Sequence, residues 1–205
     1  VGAARRWRMV LAGAIALAGL AAPGRAAATV EALTAWIVAS GDNRGVPFAV
    51  VDKQAARVFT FDADGRPRGD APVLLGLARG DHSVPGIGDR PIASIAPAER
   101  TTPAGRFDAA MGTNAAGRRI LWVDYAAAVS LHAVVTTKPR ERRLERLASP
   151  GAADNRISYG CINVPVAFFT DTVETLFSAR GGVVYVIPEV VPLNQVFAGF
   201  VAPAP

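Results

Sequence analysis

RISYGCINVP, residues 156 to 165, contains the only cysteine of the 205-residue chain, Cys161. A short strand-like stretch runs into Ser158-Tyr159-Gly160, then the cysteine, and Pro165 then opens a helical pattern. Such a turn presents a side chain at its apex, and Gly160 lets the backbone approach a bound group closely. Amides around Cys161 could face an oxyanion. The following helix N-terminus is expected to favour the thiolate of a group whose unperturbed pKa is about 8.5. With one cysteine no internal disulfide can form, so the choice lies between a reactive thiol and a small buried hydrophobe.

A thiolate nucleophile benefits from a base that takes its proton and later protonates the leaving group. The chain has two histidines. His132 lies in the strand-like run AVSLHAVV, where alternation puts it on the face opposite Leu131 and Ala133. His82 lies in the loop sequence RGDHSVPG and is expected to be solvent-exposed. His132 is the better candidate, because it and Cys161 account for each other. One cysteine and two histidines without ligand spacing make a poor metal set, and no cofactor is implied.

Outward from these residues the pattern is mostly β. Runs rich in β-branched and aromatic residues predict strands at Phe48 to Asp52, Arg57 to Phe61, Val73 to Leu77, Ile120 to Tyr125, Ala128 to Val135 and Gly182 to Ile187. Asp64-Gly65 marks a turn. Residues 78–104, rich in Gly and Pro, read as a long loop. Thr29 is placed to cap a helix with Val30, Leu33, Trp36 and Ile37 on one face and Gly41 as its stop. A late helix follows Pro165, with Phe168, Phe169, Val173, Leu176 and Phe177 as its apolar face and Gly181-Gly182 at its end. The fold class is therefore mostly β (α+β), one catalytic-sized domain over residues 46–188, preceded by a helix and linker at 29–45. Residues 189–205 form the C-terminal tail; Pro188 to Pro205 holds four prolines and is expected to be an extended surface segment.

Residues 1–28 read as a secretory signal peptide: Arg5, Arg6 and Arg8, an apolar stretch from Met9 to Ala22, then Ala26, Ala27 and Ala28. Fourteen residues are short for a bilayer that needs about 20, so no membrane span is expected after cleavage. The expected location is the periplasm or cell envelope. The whole chain carries 22 Lys+Arg against 17 Asp+Glu, a net of +5. Removing the leader takes four arginines and no acid, leaving a net of +1, which weakens any argument for nucleic acid as a partner.

LHAVV followed by SYGCINV resembles the signature of the L,D-transpeptidase (YkuD-like) family: a histidine, a loop, then Ser/Thr-His-Gly-Cys, an apolar residue and Asn or Arg. TTPAGRF, residues 101–107, resembles that family's Thr-Pro-x-Gly-x-Phe segment, and AVVDKQAARVFTFDADG its opening hairpin. The resemblance implies a β-sandwich with a few short helices and acyl transfer on peptidoglycan stem peptides through a cysteine thioester. It makes Cys161 the nucleophile and His132 the base, with Gly160 and Cys161 as oxyanion amides and Ser158 in the same turn. It also implies that the Ala133 carbonyl orients His132. Arg156 and Asn163, beside the cysteine, are candidates for substrate binding.

Two departures stand out. Tyr159 occupies the place of the family's histidine before Gly-Cys. The His132–Cys161 separation is also longer than in the common form, and the extra segment TTKPRERRLERLASPGAADN is basic. It is either a solvated helix packed through Leu144 and Leu147 or a basic lid in which Arg140, Arg142 and Arg143 meet substrate carboxylates. No Thr-Leu-x-Thr-Cys segment points to a sortase, and papain-like peptidases place Cys before His. A hydrolase on the same fold and an inert wall-binding module remain as alternatives, and oligomeric state is left open.

Overall fold

The computed structural model describes residues 25–201. The signal-peptide reading therefore falls almost entirely outside the described residues. Helix α1, Arg25–Ser40, starts earlier than a cap at Thr29 would place it. Its expected face is the one that packs: Leu33 and Ile37 are fully buried and Trp36 partly so. Gly41, at φ 67°, ends it in the left-handed region that glycine adopts without steric cost. Among the described residues no helix is long and apolar enough to cross a membrane.

Among the described residues ten strands follow in a mostly β arrangement. Strands β1 (Phe48–Asp52), β2 (Arg57–Phe61), β3 (Pro67–Pro72), β4 (Leu75–Gly76), β5 (Gly105–Thr113), β6 (Arg119–Asp124) and β7 (Val129–Ala133) come first. A short helix α2 (Arg143–Ala148), then β8 (Arg156–Ser158) and β9 (Ile162–Val164), complete the cysteine region. Helix α3 begins with α geometry at Val166–Phe168, widens to π geometry over Phe169–Glu174 and returns to α at Thr175–Phe177. Strand β10 (Gly182–Ile187) and a turn of helix α4 (Leu193–Val196) end the fold.

Eight strands form one mixed sheet in the order β3-β2-β1-β10-β5-β6-β7-β9, and β4 pairs with β8 alone. Strand β5 joins the two halves: Gly105 to Ala109 pair with β10, and Ala110 to Thr113 pair with β6. Both halves bury side chains in one core, Val51, Val184 and Val186 from one and Leu121, Leu131 and Ile162 from the other, closed by Phe169, Val173 and Phe177 of α3. Burying each such side chain is worth about 1.5–3 kcal/mol relative to exposure. The opposite faces of β1 and β10 place Phe48, Val50, Val183 and Tyr185 against α1. Two-sided burial explains why these strands read as nearly unbroken apolar runs.

Three sequence expectations are revised. The predicted strand at Val73 to Leu77 shrinks to the two residues of β4. Strands β3 and β5 form where no strand was expected: β2 supplies the hydrogen bonds of the edge strand β3, and β10 and β6 in turn supply those of β5, which their own composition does not advertise. Over its described residues, which end at Val201, the segment after Pro188 is not an extended surface tail: Phe197 and Phe200 are buried with α1, and Trp36 Nε1 donates to the Gly199 carbonyl at 3.1 Å.

A buried charge cluster pins the long 78–104 loop beside the sheet. The Lys53 ammonium donates to Asp81 Oδ1 (2.7 Å), to the Gly80 carbonyl (2.6 Å) and to the Thr102 carbonyl (3.0 Å). Asp81 also accepts the amides of Glu189, Val190 and Val191, each at 2.8 Å. Arg156 pairs with Glu189 at 2.7 Å and donates to the Lys53 carbonyl at 2.9 Å. Two positive and two negative groups thus neutralise one another where unpaired charge would be prohibitive.

Candidate active site

Alternation along β7 divides its side chains cleanly. Val129 and Leu131 enter the core, while Ser130 and His132 share the other face. Strand β9 pairs in parallel with β7, with Leu131 opposite Ile162 and His132 opposite Asn163. Cys161, the residue before β9, is thereby brought against the Ser130–His132 face.

The turn that presents the thiol is fixed by two hydroxyl groups. Ser158 Oγ donates to the Cys161 carbonyl at 2.6 Å and accepts the Gly160 amide at 3.1 Å. Thr102 Oγ1 donates to the Gly160 carbonyl at 2.8 Å and accepts the Gly76 amide at 2.9 Å. Gly160 has φ 131°, and a Cβ there would lie 2.8 Å from the Thr101 carbonyl oxygen. Only glycine fits both the backbone and the space.

Cys161 is half-buried. Its Sγ lies 3.7 Å from Ser130 Oγ and 3.8 Å from the Ala128 carbonyl oxygen. Burial pushes the thiol up, but hydrogen bonding and charge attraction from His132, aided by the Ser130 amide and hydroxyl, outweigh it and hold the thiol below its ordinary value. For His132 burial pulls down, and the interactions with Cys161 and the Ala133 carbonyl raise it on balance. The two shifts are complementary, since each charged form stabilises the other.

The histidine's proton can be placed by its partners. His132 Nδ1 is 2.8 Å from the Ala133 carbonyl oxygen, which only accepts. Nδ1 therefore carries the hydrogen, and in the neutral ring Nε2 is the free base. The Asn163 side-chain amide approaches Nε2 at 3.4 Å and the Cys161 carbonyl at 3.3 Å, in both cases as a donor. Asn163 is fully buried.

The other residues singled out in the sequence divide. His82 is exposed. Tyr159 is half-buried, its ring 4.0 Å beneath the Arg100 guanidinium, so its apolar face clamps the 78–104 loop. The Gly160 amide is already taken by Ser158, contrary to its expected role as an oxyanion donor. Strand β9 intervenes between Cys161 and α3, so the thiol is lowered by His132 and Ser130 and not by a helix end. Arg156 is buried and points into the charge cluster, where Glu189 and the Lys53 carbonyl take its guanidinium. Of the basic segment, Leu147 is buried against Leu74 and Val134 while Leu144 is 59% exposed. Arg140 and Arg142 face solvent, but Arg143 turns inward and donates to Asn163 Oδ1. Ser130 and Thr102 are the site residues that the sequence reading missed. For Ser130 the signal was present: it sits two residues before His132 and so shares its face in any strand.

No family model matches the chain, and no curated protein matches it. Among solved structures it is similar to a variant of the L,D-transpeptidase of Enterococcus faecium, at 17% identity and TM-score 0.40 over 69% of this chain and 49% of that one. It is similar to an L,D-transpeptidase from Mycobacterium smegmatis at 17% identity and TM-score 0.37, covering 68% of this chain and 58% of that one. The helical cell shape determining protein Pgp2 from Campylobacter jejuni gives 13% identity and TM-score 0.46, covering 77% and 56%. The chain thus spans about half the length of the solved structures it matches.

Proposed function

We propose that the protein is an exported cysteine acyl transferase acting on peptidoglycan stem peptides, with Cys161 as nucleophile and His132 as base. The observation that carries this reading is the Cys161–His132 pair: a lowered thiol on a glycine-dependent turn, facing a histidine whose Nδ1 proton is held by a backbone carbonyl. The order of the TTPAGRF, LHAVV and SYGCINV segments supports the substrate class.

The Cys161 proton passes to His132 Nε2 as the thiolate attacks the carbonyl carbon of the donor stem. A C–S bond forms, and the carbonyl electrons become an oxyanion for the Cys161 amide to stabilise, the Gly160 amide being engaged with Ser158. Collapse expels the terminal D-amino acid, whose nitrogen takes the proton from Nε2. The thioester then passes to an amine of a second stem, and the thiol is regenerated.

Incubating the protein with purified muropeptides and reading the products by mass spectrometry tests this. Cross-linked dimers with loss of the terminal D-residue are expected, and Cys161→Ala should yield none. Shortened monomers alone would replace transfer by hydrolysis. No change in any stem would overturn the reading.

A further inference from the structure

Arg143 belongs to the segment between His132 and Cys161, yet it does not face the solvent as a lid residue would. Its side chain is 13% exposed. Nε donates to Glu141 Oε2 at 2.6 Å, and Nη1 donates to Asn163 Oδ1. Leu147, one turn further along α2, anchors the helix in the small cluster of Leu74 and Val134. Arg146 ties the same turn down by donating to the Glu141 carbonyl at 2.9 Å and to the Asp154 carbonyl at 2.7 Å. The guanidinium is therefore held in place from behind.

A side-chain amide can be rotated by 180° with almost no change in shape, and the rotation exchanges donor for acceptor. Guanidinium groups only donate, so Arg143 compels Asn163 to offer it the oxygen. The Asn163 NH2 must then face His132 Nε2 and the Cys161 carbonyl, as observed. A donor pointed at Nε2 is compatible with the lone pair there and opposes an Nε2–H tautomer. The Ala133 carbonyl enforces the same tautomer from the other side of the ring.

We infer that Arg143 is a positioning residue: by fixing the amide of Asn163 it holds the neutral His132 ring in the Nδ1–H tautomer, so that the lone pair lies on Nε2, and the long 3.4 Å Asn163 contact there gives way as the Cys161 proton arrives. The extra segment between the two reacting residues thus acts on the base rather than on substrate carboxylates. This rests on Cys161 and His132 reacting as a pair, not on which acyl donor they use. Charged groups facing His132 are Cys161 and Arg143, the latter paired with Glu141, and the Arg143 charge lowers His132.

The test is the rate of Cys161 alkylation by iodoacetamide from pH 5 to 9, which needs no natural substrate. Arg143→Gln should slow alkylation at pH 7 about fivefold, the scale of one net hydrogen bond, and move its acid limb to higher pH, since a nearby cation has been lost. Arg143→Lys should recover most of the rate. Arg142→Gln, a change in a solvent-facing pair with Glu145, should leave rate and profile unchanged. An unshifted Arg143→Gln profile, or equal losses in the Arg142 and Arg143 variants, would overturn the inference. Nitrogen NMR of His132 in Cys161→Ala, above the ring's pKa, gives a second readout with Arg143 in place. The proton should sit on Nδ1, and an Nε2–H ring would refute the positioning role. Inactivity on muropeptides with these alkylation results intact would count against the proposed substrate alone.

Discussion

His132→Ala is expected to lower turnover by on the order of a hundredfold or more, the usual scale for losing a general base. His82→Ala should leave turnover unchanged, because His82 is exposed and lies in the loop beyond the thiol's neighbours. Steady-state kinetics of both variants on the same muropeptide check this. The asymmetry follows from the burial and pairing of one ring, not from histidine chemistry in general. Loss of His132 also removes the main influence that holds the Cys161 thiol down against burial. The thiolate fraction at neutral pH should therefore fall as well. Equal effects of the two substitutions would break the pairing argument.

Lys53→Met should destabilise the fold by about 3–5 kcal/mol, because removing one partner leaves buried charge uncompensated. Asp81 and Glu189 would remain at side-chain exposures of 1% and 2%. By contrast Arg57→Ala, which breaks the surface pair with Asp70, should cost about 0–1 kcal/mol. Urea unfolding of the two variants measures both. A Lys53→Met cost as small as that of Arg57→Ala would mean that the cluster is not what pins the loop. The cluster also gives stability a pH dependence. Burial alone would raise the Asp81 carboxyl, but the Lys53 ammonium and three main-chain amides hold it at about 2. A carboxyl lowered on folding contributes fully above its unfolded value near 4, and the contribution is lost as pH falls through about 2.

Legibility followed burial. Strands β1, β2 and β10 were readable to the residue, because each is a compact run of Val, Phe, Tyr or Ile set between two apolar layers. Strand β5, GRFDAAMGT, was not: it is largely half-exposed, carries two glycines, and is a strand because β10 and β6 flank it in turn. The π widening of α3 left no mark in a pattern whose apolar residues fit an ordinary helix. At the site, Cys161 and His132 could be picked out by residue type, and the structure brings them together. Ser130 is one alternation step from His132 and so shares its face, but a lone serine in a strand carries no mark of its role. Thr102, within TTPAGRF, and Arg143, in the basic segment, were in view, but their roles could not be read along the chain, since each acts through a partner 58 or 20 residues away. Arg156 misled in the opposite sense: adjacency to the cysteine in sequence suggested substrate, while strand geometry turns its side chain into the charge cluster.

The central claim is that Cys161 is an activated thiol, and its alkylation rate at neutral pH tests that most directly. Iodoacetamide labelling of the folded protein, followed by mass spectrometry, should proceed faster than labelling of the same chain unfolded in urea, because His132 and Ser130 favour the thiolate. A folded-state rate equal to or below that of the unfolded chain would contradict the account and leave Cys161 as an inert, partly buried side chain.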